Sequence, residues 1–139
     1  MVMEPRYLLD TNICIYIRQQ KSPALLRRFE KLRPREAAIS VVTYGELFYV
    51  AQKSAYRATA LERLRELAAL LPALALPEGA SDWYGRIRAD LERKGKMIGN
   101  NDMWIAAHAL SADLILVTND EGEFKRIPGI AIENWATQS

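Results

Sequence analysis

The sequence predicts an α/β fold in a single domain over residues 1–139, a short parallel β-sheet of about five strands flanked by helices. Two observations predict it. Short apolar runs alternate with amphipathic helical stretches along the chain, and three of those runs end on polar residues that open the next helix: Tyr7-Leu8-Leu9 into Asp10, Ala37-Ala38-Ile39 into Ser40, and Leu114-Ile115-Leu116-Val117 into Thr118. The last of these is apolar throughout, as a parallel strand covered on both faces must be.

Taken in order, the first strand meets Asp10, and Thr11-Asn12 are placed to cap a short helix at Ile13-Cys14-Ile15-Tyr16-Ile17. Ser22-Pro23 starts a second helix, serine as cap and proline in the first turn, with Leu25, Leu26, Phe29 and Leu32 as its apolar face and Pro34 as its end. Ala37-Ala38-Ile39-Ser40 is the second strand, and Ser40 caps a helix carrying Thr43, Glu46, Leu47 and Val50. Over residues 56–71 the spacing of Leu61, Leu64, Leu67 and Leu71 makes a helix with arginines outside, stopped by Pro72. Leu74-Ala75-Leu76 supplies a third strand. Ser81 is placed to cap a helix through Trp83, Ile87 and Leu91 to Lys94, where Gly95 terminates it. Gly99, Asn100 and Asn101 form a turn, and Asp102 enters the first turn of a helix over 103–110, where the helix dipole favours negative charge. The fourth strand lies within 113–120, and Ile130-Ala131-Ile132-Glu133 is the fifth, at or near the sheet's edge.

A chain of 139 residues supports one core and buries about two-thirds of its unfolded surface. The single cysteine, Cys14, sits in an apolar run and reads as a small core residue, a usage that fits a reducing cytoplasm. Residues 1–6 lack the basic-then-apolar layout of a signal peptide, and no apolar run approaches the roughly 20 residues that span a bilayer, so the expected setting is cytoplasmic with no membrane partner. The formal charge is only +2. Setting aside the four acids discussed next, however, leaves 13 acidic residues against 19 Lys and Arg, a surface suited to a polyanion. Arg86, Arg88, Arg93, Lys94 and Lys96 make a basic run able to meet phosphates; ordinary paired helix surface is the competing account. Trp83, Tyr84 and Trp104 can stack on unpaired bases, although aromatics at helical spacing are usually core.

Four acids, Asp10, Glu46, Asp102 and Asp120, each follow a strand end or open a helix that enters the same rim. Any one of them alone is a helix cap; together they need another account. Two unit charges about 4 Å apart repel by roughly 1 kcal/mol in water and about 4 kcal/mol at an effective dielectric near 20. A proton or a cation must relieve that repulsion, and an oxygen-only donor set suits Mg²⁺, or Mn²⁺ in its place, rather than zinc. Hydrolysis of a phosphodiester is the chemistry this fits, because such an ion activates water and offsets charge on the phosphoryl oxygens. Thr118 can hydrogen-bond the water or an Asp carboxylate, or cap the next turn. The lone His108 reads as a packed residue rather than a general base.

Leu8-Leu9-Asp10-Thr11-Asn12, Ser40 with Thr43 and Glu46-Leu47, Ile98-Gly99 ahead of Asp102 with Ile105-Ala106-Ala107, and Leu116-Val117-Thr118-Asn119-Asp120 with Phe124 together resemble a PIN-domain ribonuclease. More narrowly, the chain resembles the VapC toxins of type II toxin-antitoxin systems, from Tyr7 to Trp135. The resemblance implies an α/β/α sandwich, Mg²⁺-dependent endonuclease activity on RNA, often tRNA or another structured RNA, a homodimer, and neutralisation by a VapB-type antitoxin. It also implies Asp10, Glu46 and Asp102 as metal ligands with Asp120 a more variable fourth; from the residues themselves, Glu121 or Glu123 beside it could supply that carboxylate, or the site could work with three.

Two other classes compete. A Mg²⁺-dependent phosphatase or receiver-like domain also gathers aspartates at strand ends, but Asp10-Thr11-Asn12 lacks the Asp-x-Asp of the former, and Lys125 is poorly placed for the lysine of the latter. A non-catalytic RNA-binding module has no need to keep four acids.

Overall fold

The computed structural model describes residues 5–136, so the stretch read for a leader lies partly outside it. In chain order the elements are β1 (Tyr7–Leu9), α1 (Thr11–Gln19), α2 (Pro23–Glu30), β2 (Ala37–Ser40), α3 (Val41–Gln52), α4 (Arg57–Leu70), β3 (Ala73–Leu74), α5 (Ala80–Lys94), α6 (Asn100–Ala112), β4 (Ile115–Val117), α7 (Glu121–Phe124) and β5 (Ile132–Glu133). The five strands form one parallel sheet with β5 at an edge, as the sequence predicts, and their order is β3-β2-β1-β4-β5. Tyr7 lies opposite Ala37 on one side and Ile115 on the other, so β1 is the centre of the sheet.

This order locates the site. From β1 the chain steps outward through β2 to β3, then returns to place β4 on the opposite flank of β1. Connections leaving β1 and β4 therefore diverge, and the crevice outside their carboxyl ends is where an open α/β sheet takes its ligand. Asp10 follows β1 directly, and Thr118 follows β4.

Strand alternation divides the core into two layers. Tyr7 and Leu9 pack with Ile13, Leu25, Ile39, Leu47 and Leu64 on the side of α1 to α4. Leu8 points the other way, into Ile87, Leu91, Met103, Ile105 and Phe124 beneath α5 and α6. Cys14 is fully buried, as a core cysteine should be, and burial pushes its thiol pKa up. Among the described residues no helix is long and apolar enough to cross a membrane.

The structure corrects several local expectations. The cap of α1 is Asp10 itself, whose Oδ1 accepts the Ile13 N–H at 2.9 Å, so Thr11 and Asn12 are helical and the helix runs on to Gln19. Thr11 is not free to cap because its hydroxyl turns to Glu46. α5 starts at Ala80 behind Gly79, without the side-chain cap expected from Ser81. α6 begins at Asn100 and runs to Ala112, and Asp113 adopts a left-handed conformation (φ 56°) that ends the helix, which shortens β4 to Ile115–Val117. β3 is Ala73–Leu74 rather than 74–76, because pairing with Ile39 and Ser40 fixes its register. The caps read at Ser22 and Ser40 and the left-handed Gly95 stop are all present.

Candidate active site

Asp10 is a carboxylate forced into the interior by its position between a buried strand and the helix it caps. It is 3% exposed, and burial pushes its pKa up to about 6. Hydrogen bonds from the Thr118 side chain and the Ile13 N–H act in the opposite sense, while the charges of Asp102 and Asp120 add to the upward push. Fully buried Thr118 serves both roles open to it in the sequence: it hydrogen-bonds the Asp10 carboxyl, and its Oγ1 accepts the Asp120 N–H at 2.9 Å.

Glu46 lies in the second turn of α3, one element across from Asp10. With no helix start beside it, side chains hold it in place. Thr11 donates its hydroxyl to Oε1 at 2.5 Å, and the Asn101 amide donates to Oε2 at 3.3 Å. The buried Thr43 hydroxyl lies 3.2 Å from that of Thr11. Three elements, α1, α3 and α6, thus meet on one carboxylate.

Asp102 sits in the first turn of α6, half-buried, and burial raises its pKa. The charges of Glu46 and Asp120 push it further up, while a hydrogen bond with Glu123 pulls it down. Asp120 caps α7, Oδ1 accepting the Glu123 N–H at 3.3 Å. Glu123 was named in the sequence only as a neighbour able to stand in for Asp120. The structure brings it fully into the cluster: its side chain hydrogen-bonds both Asp102 and Asp120, its Oε1 accepts the Gly99 N–H at 3.3 Å, and its pKa is pushed up to about 8 by burial and by those two acids. The i+3 spacing from Asp120 was the available signal, since one turn of helix returns Glu123 to the same face.

All four acids expected from the sequence therefore reach one rim, joined by a fifth. Among the described residues, however, no three acidic, His or Cys groups close in tightly enough to ligate one ion as they stand. The physical reason is visible in their partners: Asp10 and Asp120 turn an oxygen to a helix amide, Glu46 is drawn to Thr11 and Asn101, and Asp102 binds Glu123. The donor set nonetheless fits a hard divalent cation. It is oxygen-only, three of its members are pushed toward protonation, and no Lys or Arg contributes to the shifts of Asp10, Asp102 or Glu123.

The remaining candidates fall outside this cluster. His108 is buried with Nδ1 3.0 Å from Ser40 Oγ, and desolvation lowers its pKa, so it ties α6 to β2 as a packed neutral imidazole. Much of the basic run is engaged on its own helix: Arg88 with Glu92, Arg93 and Lys94 with Asp90, and Arg86 over the Trp83 ring. Tyr84 stacks on Trp104, ring centroids 4.0 Å apart.

The sequence matches the PIN domain family over residues 7–130. The chain belongs to the PIN-domain family, among its VapC ribonucleases. Ribonuclease VapC2 of Haemophilus influenzae is 38% identical over 130 residues, covering 94% of this chain and 98% of that one. The tRNA(fMet)-specific endonuclease VapC of Salmonella typhimurium is 40% identical over the same length, with the same coverage. Among solved structures, DNA-bound VapBC from Salmonella typhimurium superposes with a TM-score of 0.88 at 40% identity, covering 94% of this chain and 98% of that one. VapBC-1 from nontypeable Haemophilus influenzae gives 0.86 at 34%, covering 93% and 97%. This PIN domain is a nuclease, a hydrolase, which removes the phosphatase and receiver readings.

Proposed function

We propose that this PIN domain is a divalent-metal-dependent endoribonuclease toxin that cuts structured RNA, tRNA foremost, and is neutralised by a VapB-type antitoxin. The observation that carries this reading is the convergence of Asp10, Glu46, Asp102 and Asp120, with Glu123, at the switch point without a basic side chain behind the shifts of the three most perturbed acids. In it Asp10, Glu46, Asp102 and Asp120 hold Mg²⁺, or Mn²⁺ in its place. Bound there, the cation supplies charge neutralisation at the phosphate and a lowered pKa for water.

The protein's own residues do the rest. Ile13 N–H and Thr118 aim Asp10, Thr11 and Asn101 aim Glu46, and Glu123 holds a proton between Asp102 and Asp120. Thr118 links Asp10 to the Asp120 backbone, which ties the ends of β1 and β4 together. The tRNA preference is supported by a relative 40% identical that is named a tRNA(fMet)-specific endonuclease. The antitoxin is supported by relatives solved as VapBC assemblies. Exposed Phe48, Tyr56 and Leu70 offer apolar surface for that partner and for a second copy in a homodimer. Buried, unpaired Cys14 agrees with a cytoplasmic setting.

The test is cleavage of total tRNA by purified protein with Mg²⁺, with Mn²⁺ and with EDTA, repeated after adding a cognate VapB-type antitoxin. Cleavage that needs the ion and stops with the antitoxin is expected. Intact RNA under all conditions, from folded protein, would sink the ribonuclease reading.

A further inference from the structure

Beside the acids, a cleft of about 710 Å³ opens between α1 and α3, with Glu46 as one of its walls. Asn12 and Ile15 line it from α1, and Val41, Gly45 and Tyr49 from α3. Gly45 is the unexpected member. Glycine is among the poorest residues in the interior of a helix, and it is kept there for a positive φ or a close approach. Neither applies: Gly45 is not among the positive-φ glycines, and a Cβ built on it meets no atom within 4 Å. What its missing side chain does is leave the floor of the cleft bare. One turn on, at i+4 on the same face, the Tyr49 ring stands 63% exposed with Lys53 Nζ 4.7 Å from its centroid.

We propose that this cleft seats the unpaired nucleotide flanking the scissile phosphate, the base lying over Gly45 and stacking on Tyr49, with Lys53 meeting the adjoining phosphate and Asn12 facing the base edge. The proposal rests on the reading of the acids as an RNA-cleaving centre, because a phosphate held beside Glu46 delivers its neighbouring base into this cleft. An open aromatic flanked by a cation is how proteins hold single-stranded nucleic acid, and stacking accepts any base. A protein segment inserted in the cleft is the competing occupant.

The experiment compares wild type with Gly45→Leu, which fills the floor, Gly45→Ala, Tyr49→Ala and Tyr49→Phe. Two measurements are made: steady-state cleavage of a hairpin RNA in Mg²⁺, and fluorescence titration in EDTA with the same RNA carrying 2-aminopurine in its loop. Gly45→Leu and Tyr49→Ala should raise KM, and the 2-aminopurine Kd, about ten-fold, the loss expected for one stacked base. kcat should stay within about two-fold, Tyr49→Phe should restore binding, and Gly45→Ala should bind normally and melt higher, showing that the position tolerates a side chain. Unchanged KM and Kd in both Gly45→Leu and Tyr49→Ala overturn the subsite while leaving the ribonuclease reading intact. Unchanged RNA binding together with lost antitoxin inhibition in Gly45→Leu overturns it in favour of a protein segment. If wild type cleaves no RNA, the ribonuclease reading fails, and the titration in EDTA still decides whether the cleft holds a base.

Discussion

Asp10→Asn should stabilise the metal-free protein, although Asp10 is a helix cap and a cap normally contributes about 1 kcal/mol. The folded pKa of Asp10 is raised from 3.8 to about 6. A group raised in this way contributes stability that is fully present below the unfolded pKa and is lost as pH rises through the folded one. Between 3.8 and about 6 the folded chain holds a proton that the unfolded chain releases, and above that window the penalty is constant. Roughly two pKa units at 1.36 kcal/mol each make it about 3 kcal/mol. Asparagine abolishes the penalty yet keeps an Oδ1 to accept from Ile13 N–H at 2.9 Å, so little is lost against it. In EDTA near pH 7.5 the variant should therefore melt about 10 °C higher than wild type, and the gap should shrink steadily on going down toward pH 4. Adding Mg²⁺ at about 100 times its dissociation constant gives the wild type roughly 2.7 kcal/mol, and the variant less, so the ranking narrows or inverts. Thermal melts of both proteins across pH and Mg²⁺ measure all of this. A variant less stable than wild type in EDTA near pH 7.5, or one that gains as much from Mg²⁺, would refute the strained-carboxylate account.

Glu46→Gln and Asp102→Asn should each abolish RNA cleavage with the melting cooperativity preserved, whereas Asp120→Asn should cost less because Glu123 stands beside it; cleavage assays on folded variants check both. Thr11→Val removes the donor that aims Glu46 and should weaken the Mg²⁺ response by about 10–100-fold, read from the ion concentration at half-maximal cleavage. His108 is buried with its pKa lowered from 6.5 by desolvation, so its contribution is present above 6.5 and lost as pH falls, when the unfolded chain takes a proton that the folded one refuses. His108→Gln should flatten that acid limb in urea titrations, and an unchanged limb would show that the imidazole is not what holds it.

The sheet was legible because its strands are short and mostly apolar, and β1 and β2 run straight into helix starts; Ser22-Pro23 and Ser40 announce their helices by chemistry that depends on neighbours two or three residues away. Helix boundaries were less legible where the cap is not a side chain. α5 begins behind Gly79 with none, so Ser81, the nearest conventional cap, drew the start to itself. Among the site residues, Asp10, Glu46, Asp102 and Asp120 were visible because each stands at a strand end or early in a helix. Glu123 was blurred because it lies in a four-residue helix that no periodicity reveals, and its proximity to Asp102 and Gly99 is a contact across more than twenty residues. Thr11 was misassigned for the same reason, since nothing local says that its hydroxyl is claimed by Glu46, 35 residues away.

The choice between cap and ligand, which the sequence poses at each acid, is not an opposition in the folded chain. A carboxylate has two oxygens. Asp10 and Asp120 each turn Oδ1 to the amide three residues on, a bond that sets the side chain's direction and occupies one oxygen, while Thr118 on Asp10 and Glu123 on Asp120 hold the carboxyls further. Asp102 stands in the first turn of α6, where the partial positive charge of the helix end, about half an elementary charge, offsets part of the repulsion from its neighbours. Helix starts thus supply both the aim and some of the positive charge that lets acids gather at a strand-end rim. Glu46 is the exception that supports this: it sits in the body of α3, has no helix end to hold it, and instead needs Thr11 and Asn101 from two other elements. The site accordingly depends most on tertiary contacts at Glu46, and Thr11→Val should damage ion binding without damaging the fold, an outcome that removing a helix cap cannot produce.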